Sequence, residues 1–115
     1  MNTSTLVAVV IPSHDKEQNP LDQLQFRTWS LKTHEFFAAE FGGATEFRAE
    51  KGSYLSKDLG KIIWDEPHVI ESFASVPENE FIEALERLGK FAREMRNSLK
   101  QEEVMYTVGN SVIFV

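Results

Sequence analysis

The sequence predicts a single α+β domain with the ferredoxin-like order β-α-β-β-α-β, an antiparallel sheet and two helices on one of its faces. Three observations support this prediction: a β-branched apolar run near the start, two helical segments with clear boundary signals, and extended segments between and after them. The length of 115 residues matches one domain, so residues 1–115 are expected to share one core. Both crossovers are expected to be right-handed.

The first element is the run Thr5–Ile11, which is short, continuous and apolar. Such a run is typical of a strand buried on both faces, and hence central in its sheet. Pro12 and Ser13 then end the strand.

The first helix is predicted to begin at Asn19 and Pro20, an N-cap followed by a proline at the first helical position. It is predicted to end at Phe41, because Gly42 offers the left-handed position that closes many helices. Its apolar residues form two stripes. The stripe expected to face the sheet contains Leu21, Leu24, Leu31, Ala38 and Ala39. The opposite stripe, expected to meet the second helix, a partner subunit or a ligand, contains Phe26, Trp29, Phe36 and Phe37.

The middle of the chain is predicted to be extended. Strands are expected at 44–49 and 53–55, separated by the turn residues of 50–52. The segment 61–74 is also extended, and Pro67 marks a strand start, an edge or a bulge inside it. The strand predicted most clearly is His68–Ala74.

The second helix is predicted to start at Ser75, which has capping-box spacing to Glu78 and is followed by Pro77. Its apolar seam recurs at spacings of four and three, a heptad-like pattern that a coiled coil also shows. Three heptads without a second apolar partner favour packing on a sheet instead. The seam contains Phe81, Leu85, Leu88, Ala92, Met95 and Leu99. Strands at 104–108 and 111–115, joined by a Gly-Asn turn, add a C-terminal hairpin strand to the sheet.

Composition excludes several classes of site and partner. The chain has no Cys, which rules out disulfides, thiolate nucleophiles and Cys-ligated zinc. A formal charge of −6 disfavours nucleic-acid binding and suits neutral or basic protein partners. The longest apolar run, Leu6–Ile11, is too short to span a bilayer, and no basic segment precedes it as in a signal peptide. We therefore expect a cytoplasmic protein without a membrane partner.

The candidate ligand-binding residues are Trp64, Glu66 and His68, which alternate along one extended segment, together with His14. Alternation would put the Glu66 carboxylate beside the His68 imidazole, an arrangement that orients a general base or binds a metal. His14 or His34 would have to supply a further ligand. A structural or surface pair is the competing interpretation, so no catalytic residue, metal or cofactor is assigned. The Gly42–Thr45 turn follows a helix and lacks the P-loop lysine, which excludes a nucleotide loop.

Four stretches of the chain share a pattern of turn and strand motifs: Phe41–Thr45, Gly52–Tyr54, Asp65–Glu71 and Gln101–Val104. Together they resemble a diffuse group of small bacterial and phage-borne proteins of unknown function. The resemblance covers about residues 35–115 and consists of a Gly-Gly-x-Thr turn, an aromatic after a glycine and a late Gln-Glu-x-Val. It implies the ferredoxin-like fold and no activity. Where the group usually has Trp, this chain has Tyr54.

The function expected from the sequence is a non-enzymatic interaction or ligand-binding module, because apolar surface is ample and no catalytic set converges. One alternative is a small metal- or acid/base-dependent enzyme using Glu66 and His68. Another is an acidic phage-type inhibitor of a basic nuclease or defence protein. We also expect a homodimer through the sheet face left open by the helices, extended by Trp29 and Phe37.

Overall fold

A computed structural model describes residues 4–115 of the chain. Within this range it contains seven strands and two helices. In chain order they are β1 Thr5–Ile11, α1 Gln23–Phe41, β2 Thr45–Arg48, β3 Gly52–Leu55, β4 Ile62–Asp65, β5 His68–Ala74, α2 Glu78–Ser98, β6 Met105–Val108 and β7 Ser111–Phe114.

The main sheet has five strands in the order β2-β5-β1-β6-β7, and every neighbouring pair is antiparallel. Without the edge strand β7, this is the strand order of the split β-α-β arrangement, so the predicted ferredoxin-like fold with an extra C-terminal strand is confirmed. Strands β3 and β4 form a separate hairpin between β2 and β5.

Strand β1 lies at the centre of the sheet because its apolar run supplies side chains to both faces. Val7, Val9 and Ile11 are fully buried on the helix-covered face. The alternate residues Leu6 and Val10 are only half-buried on the opposite face, which no helix covers. Burial on both faces is therefore only partly achieved within one chain.

Helix α1 begins later than predicted. The Asp22 side chain caps it by accepting from the backbone N–H of Leu24, while Pro20 pairs with His14 in an isolated β-bridge. The predicted end is confirmed: Gly42 has a φ of 96°, and its N–H donates to the Ala38 carbonyl.

The prediction of which α1 stripe faces the sheet is wrong. Leu24 and Leu31 are 73% and 60% exposed, whereas Trp29 and Phe37 belong to the buried core. The Trp29 ring meets Phe91 of α2 edge-on at 5.5 Å, and its Nε1 donates to Ser98 Oγ at 3.0 Å. Aromatic residues bury more area than leucine or alanine, so the aromatic stripe takes the core side. Trp29 and Phe37 therefore cannot extend a subunit contact.

Helix α2 packs as its seam predicts. Leu88, Ala92 and Met95 are fully buried, and Leu99 at the C-cap is nearly so. The predicted capping box is not formed: Pro77 is the N-cap residue, and no side chain bonds to the first turn. Among residues 4–115, no helix is long and apolar enough to cross a bilayer.

The sheet face opposite the helices is apolar and only partly covered. Phe47 on β2, Phe73 on β5, and Val112 and Phe114 on β7 are each more than half exposed. The β3–β4 hairpin covers this face only at one end, where Val10, Met105 and Phe114 meet hairpin residues around a cavity.

Candidate functional site

Two cavities flank the sheet near the carboxyl end of β1. The first, which we call the hairpin-side cavity, has a volume of about 330 Å³ and lies between the open sheet face and the β3–β4 hairpin. The second, the helix-side cavity, has a volume of about 360 Å³ and lies between α1 and the other face. The segment 65–68 separates them: Asp65 and Pro67 line the former, whereas Glu66 and His68 line the latter.

The hairpin-side cavity combines an apolar floor with an acidic rim. Its apolar and aromatic lining comes from Val10, Pro12, Tyr54, Leu55, Pro67, Val104, Met105 and Phe114. Three carboxylates also line it, those of Asp65, Glu102 and Glu103, against the single ammonium of Lys57. Lys57 Nζ is 3.5 Å from Glu103, so that cation is already paired. The excess negative charge favours a ligand that carries a positive charge.

Gln101 is held at the cavity by its amide nitrogen. Its Nε2 donates to the carbonyl oxygens of His14, at 2.7 Å, and Leu99, at 2.9 Å. The backbone before it is left-handed at Lys100, with a φ of 53°, which turns the chain sharply after α2. Both amide protons are used by the protein, and among residues 4–115 no group donates to the Gln101 carbonyl oxygen, so that oxygen can accept from a ligand.

Glu102 ties the hairpin to the loop after α2. Its Oε1 accepts a short hydrogen bond from the hydroxyl of Ser56 and a longer one, 3.4 Å, from the N–H of Asp58. Ser56 is fully buried and also accepts from the N–H of Leu59 at 3.1 Å. This contact fixes the position of the hairpin over the open face.

Tyr54 and Asp65 face this cavity with altered acidity. Burial, followed by the negative charges of Glu102 and Asp65, raises the pKa of the Tyr54 phenol, so its hydroxyl remains a hydrogen-bond donor. Burial raises the pKa of Asp65, although a hydrogen bond from the Ser13 N–H at 3.4 Å acts to lower it.

Gly52 lies close to the Asp65 carboxylate. The two residues pair across the hairpin, and a Cβ at position 52 would lie 2.9 Å from Asp65 Oδ1. A larger residue at position 52 would therefore push the Asp65 carboxylate aside and crowd Pro67, whose Cγ and Cδ would lie 3.1 Å from the added Cβ.

The helix-side cavity is organised around Glu46 of β2. Its Oε1 accepts from Ser30 Oγ at 2.7 Å and His34 Nε2 at 2.9 Å, and its Oε2 accepts a short hydrogen bond from His68 Nδ1. Burial works to raise the pKa of Glu46, but the hydrogen bonds from His68, Ser30 and His34 lower it overall. Glu46 is therefore ionised at neutral pH.

The structure separates the residues that the sequence grouped as a candidate site. Trp64 is on the outer face of the hairpin, 53% exposed, with Lys51 Nζ 5.6 Å from its ring centroid. Glu66 and His68 do line one cavity, but the carboxylate partner of His68 is Glu46. Glu66 and His68 share one side of the segment, as alternation predicts, but the chain passes from the hairpin into the main sheet between them, and Trp64, on the hairpin, does not line this cavity.

Within the part of the chain that the structure describes, His14 and His68 have no hydrogen-bond partner in common. Its Nδ1 is 2.8 Å from Ser13 Oγ, and its carbonyl holds Gln101. Among residues 4–115, no group of three or more His, Asp or Glu side chains is arranged to hold a metal ion.

Sequence reasoning missed the hairpin-side set of Tyr54, Asp65, Gln101 and Glu102. All four occur in the stretches that carry the family resemblance, but they were interpreted there as structural. They are far apart in sequence and meet only because the hairpin folds back on the open face. The occurrence of all four residues in those stretches is the one signal in the sequence that points to them as a set.

Comparison with known proteins identifies a fold and two enzyme structures. No family model and no curated protein matches this chain. Among solved structures, the chain is similar to a phage SAM lyase in complex with S-methyl-5'-thioadenosine, with a TM-score of 0.73 and 14% identity over 100% of this chain and 91% of that one. It is also similar to a phage SAM lyase in its apo state, with a TM-score of 0.67 and 13% identity over 96% of this chain and 87% of that one.

These similarities contradict the function expected from the sequence. The absence of a converging catalytic set in the sequence predicts a non-enzymatic interaction module, and the charge of −6 with the small size suggests the inhibitor alternative. Both similar structures are instead of a lyase. The prediction failed because the polar residues of the hairpin-side cavity converge only in three dimensions. At 13–14% identity the similarity establishes the fold alone, and the activity of this chain is a proposal.

Proposed function

We propose that this chain is an S-adenosylmethionine lyase that cleaves its substrate in the hairpin-side cavity and releases S-methyl-5'-thioadenosine. The observation that carries the proposal is the pairing of an acidic, aromatic cavity with a fold matched over its whole length by a lyase of that substrate. The cavity also has the size of an ordinary small-molecule site.

The lining suits the chemistry of the substrate. S-adenosylmethionine carries a sulfonium cation, which the carboxylates of Asp65, Glu102 and Glu103 attract. The rings of Tyr54 and Phe114 add faces on which a cation or an adenine ring packs. The free carbonyl oxygen of Gln101 can accept from an amine of the ligand.

The bond that breaks follows from the product. S-Methyl-5'-thioadenosine keeps the adenosine, the sulfur and its methyl group, so the bond lost joins sulfur to the methionine-derived carbon. Its electron pair goes to sulfur, which becomes a neutral thioether. In one route the substrate's own carboxylate attacks that carbon as its bond to sulfur breaks, which gives a lactone. In the other a base removes a proton from the adjacent carbon as the same bond breaks, which gives an alkene. Both routes balance without water.

The cavity assists these routes differently. Closure to the lactone neutralises a carboxylate and a sulfonium, so a largely apolar lining favours it. Proton loss needs a base, and the lining offers the carboxylates of Asp65, Glu102 and Glu103 for that role. NMR of the four-carbon product distinguishes the two routes.

The test is release of S-methyl-5'-thioadenosine from S-adenosylmethionine, measured by chromatography. The parent protein should release it, and Tyr54→Phe and Asp65→Asn should each reduce kcat/KM about tenfold or more by removing a donor or a charge from the site. Glu86→Gln is the matched control, since Glu86 is exposed on α2 outside both cavities. Failure of the parent to release product at micromolar enzyme, with folding intact, would contradict the proposal.

A further inference from the structure

The helix-side cavity has no role in the proposed lyase reaction, although it is well organised. It lies across the sheet from the hairpin-side cavity and has a similar volume. Charged and aromatic side chains from α1, β2, the β4–β5 link and the start of β5 line it, among them Arg27, Arg48, Glu66, His68 and Phe26. Their arrangement has the features of a second binding site.

His68 is held in a defined orientation and protonation pattern. An ionised carboxylate only accepts, so His68 Nδ1 must carry the proton that it shares with Glu46. Phe26 packs edge-on against the imidazole, with ring centroids 4.7 Å apart. Within residues 4–115, no protein group hydrogen-bonds to His68 Nε2, so in the neutral ring this nitrogen is a positioned acceptor.

The rim of the cavity carries positive and negative side chains that are unpaired or only weakly paired within residues 4–115. Arg27 has no ion-pair partner in the part of the chain that the structure describes. Arg48 and Glu66 lie 3.8 Å apart, but both are largely exposed, so their mutual attraction is weak. Guanidinium groups bind carboxylates through two parallel hydrogen bonds, and the Glu66 carboxylate accepts from an ammonium.

We propose that the helix-side cavity binds the zwitterionic head of a free α-amino acid. The ligand carboxylate lies against Arg27 and Arg48, and its ammonium donates to His68 Nε2 and Glu66. Leu21 and Phe26 offer apolar surface to its side chain. The two arginines are balanced by Glu46 and Glu66, so a ligand carrying both signs complements the cavity better than a simple anion.

An NMR titration of the full chain with L-methionine tests this proposal. We expect saturable shifts of the His68 and Phe26 ring resonances. The double variant Arg27→Gln with Arg48→Gln should bind about tenfold more weakly or worse. Both arginines are exposed, so the variant should keep the parent's fold, which its amide spectrum checks. Arg93→Gln, exposed on α2 outside the cavity, is the matched control and should bind like the parent.

Three results would overturn the proposal. These are no shift of His68 up to about 10 mM L-methionine, an equal response to acetate, or an unchanged response in the double variant. An equal response to acetate would mean that the cavity binds a carboxylate and does not recognise the ammonium group. The titration contains no S-adenosylmethionine, so its outcome is independent of the lyase assay.

Discussion

At the residue scale, each cavity contains a carboxylate whose hydrogen-bond partners lie far away in sequence: Glu102 bonds to Ser56, and Glu46 bonds to His68. Glu46 meets His68 because β2 and β5 are adjacent and antiparallel, with Glu46 opposite Ile70 and Arg48 opposite His68. The sequence shows that His68 is a candidate, but the neighbouring Glu66 is the only acid that local alternation can offer it. A register between distant strands has no local signal, so the true partner could not be predicted.

Glu46→Gln is expected to destabilise the protein by about 1–3 kcal/mol at pH 7, because a charged acceptor of three hydrogen bonds is lost. The folded pKa of Glu46 is lowered, so its contribution is present above the unfolded pKa and disappears as the pH falls through the folded pKa. Urea unfolding of parent and variant at pH 7 and at about pH 3 measures this difference. A gap that stays the same at both pH values would contradict the assignment.

At the scale of elements, the boundaries were predictable where a local signal acts alone. Gly42 ended α1 as expected, and the bounds of β1 and β5 match the predicted strands. Helix starts were less predictable because several residues compete: Asp22 caps α1 in place of Asn19, and α2 starts after Pro77 without the Ser75 cap. The contact between Ser56 and Glu102 that positions the hairpin joins residues 46 apart and leaves no local pattern.

Leu88→Asp should prevent stable folding, at a cost of about 3 kcal/mol or more, since it buries an unpaired charge in the middle of the α2 seam. Thermal melting followed by circular dichroism measures it. Ile82→Asp is the control, because Ile82 lies on the exposed side of the same helix and should tolerate the charge. A parent-like melting curve for the Leu88 variant would mean that the seam is not in the core.

Ser56→Ala should loosen the hairpin while leaving the main sheet intact. The substitution removes a buried donor to Glu102 and leaves that carboxylate with only the weak bond from Asp58. We expect faster amide hydrogen exchange at 52–65 and unchanged exchange in β1 and β5. Ser111→Ala, an exposed serine on β7, is the control, and equal exchange in both variants would argue against the contact.

At the scale of the whole molecule, the fold class followed from the sequence, whereas the function did not. The order of strands and helices is encoded by periodicity within each segment, which is why the ferredoxin-like arrangement was predictable. Both cavities depend on how the inserted β3–β4 hairpin and α1 sit against the sheet. The apolar open face could be predicted from the sequence, because the residues of β1 do not alternate between apolar and polar.

We propose that a second copy of the chain covers this open face, as a homodimer. Phe73 is 66% exposed there, and Phe47, Val112 and Phe114 are also more than half exposed. One self-complementary patch is enough for two-fold pairing. Sedimentation equilibrium at micromolar concentration should give about twice 13.2 kDa, and Phe73→Glu should lower it to a single chain's mass. A 13.2 kDa parent would rule the dimer out.

The most direct test of the account follows the atoms of S-adenosylmethionine carrying ¹³C in its S-methyl group and in the methionine carbon bonded to sulfur. Incubated with this chain in an NMR tube, the methyl label should move to a thioether position in S-methyl-5'-thioadenosine. The second label should appear in a four-carbon product that no longer contains sulfur. A substrate that keeps both labels on one sulfonium indefinitely, or a methyl label transferred to another acceptor, would contradict lyase activity.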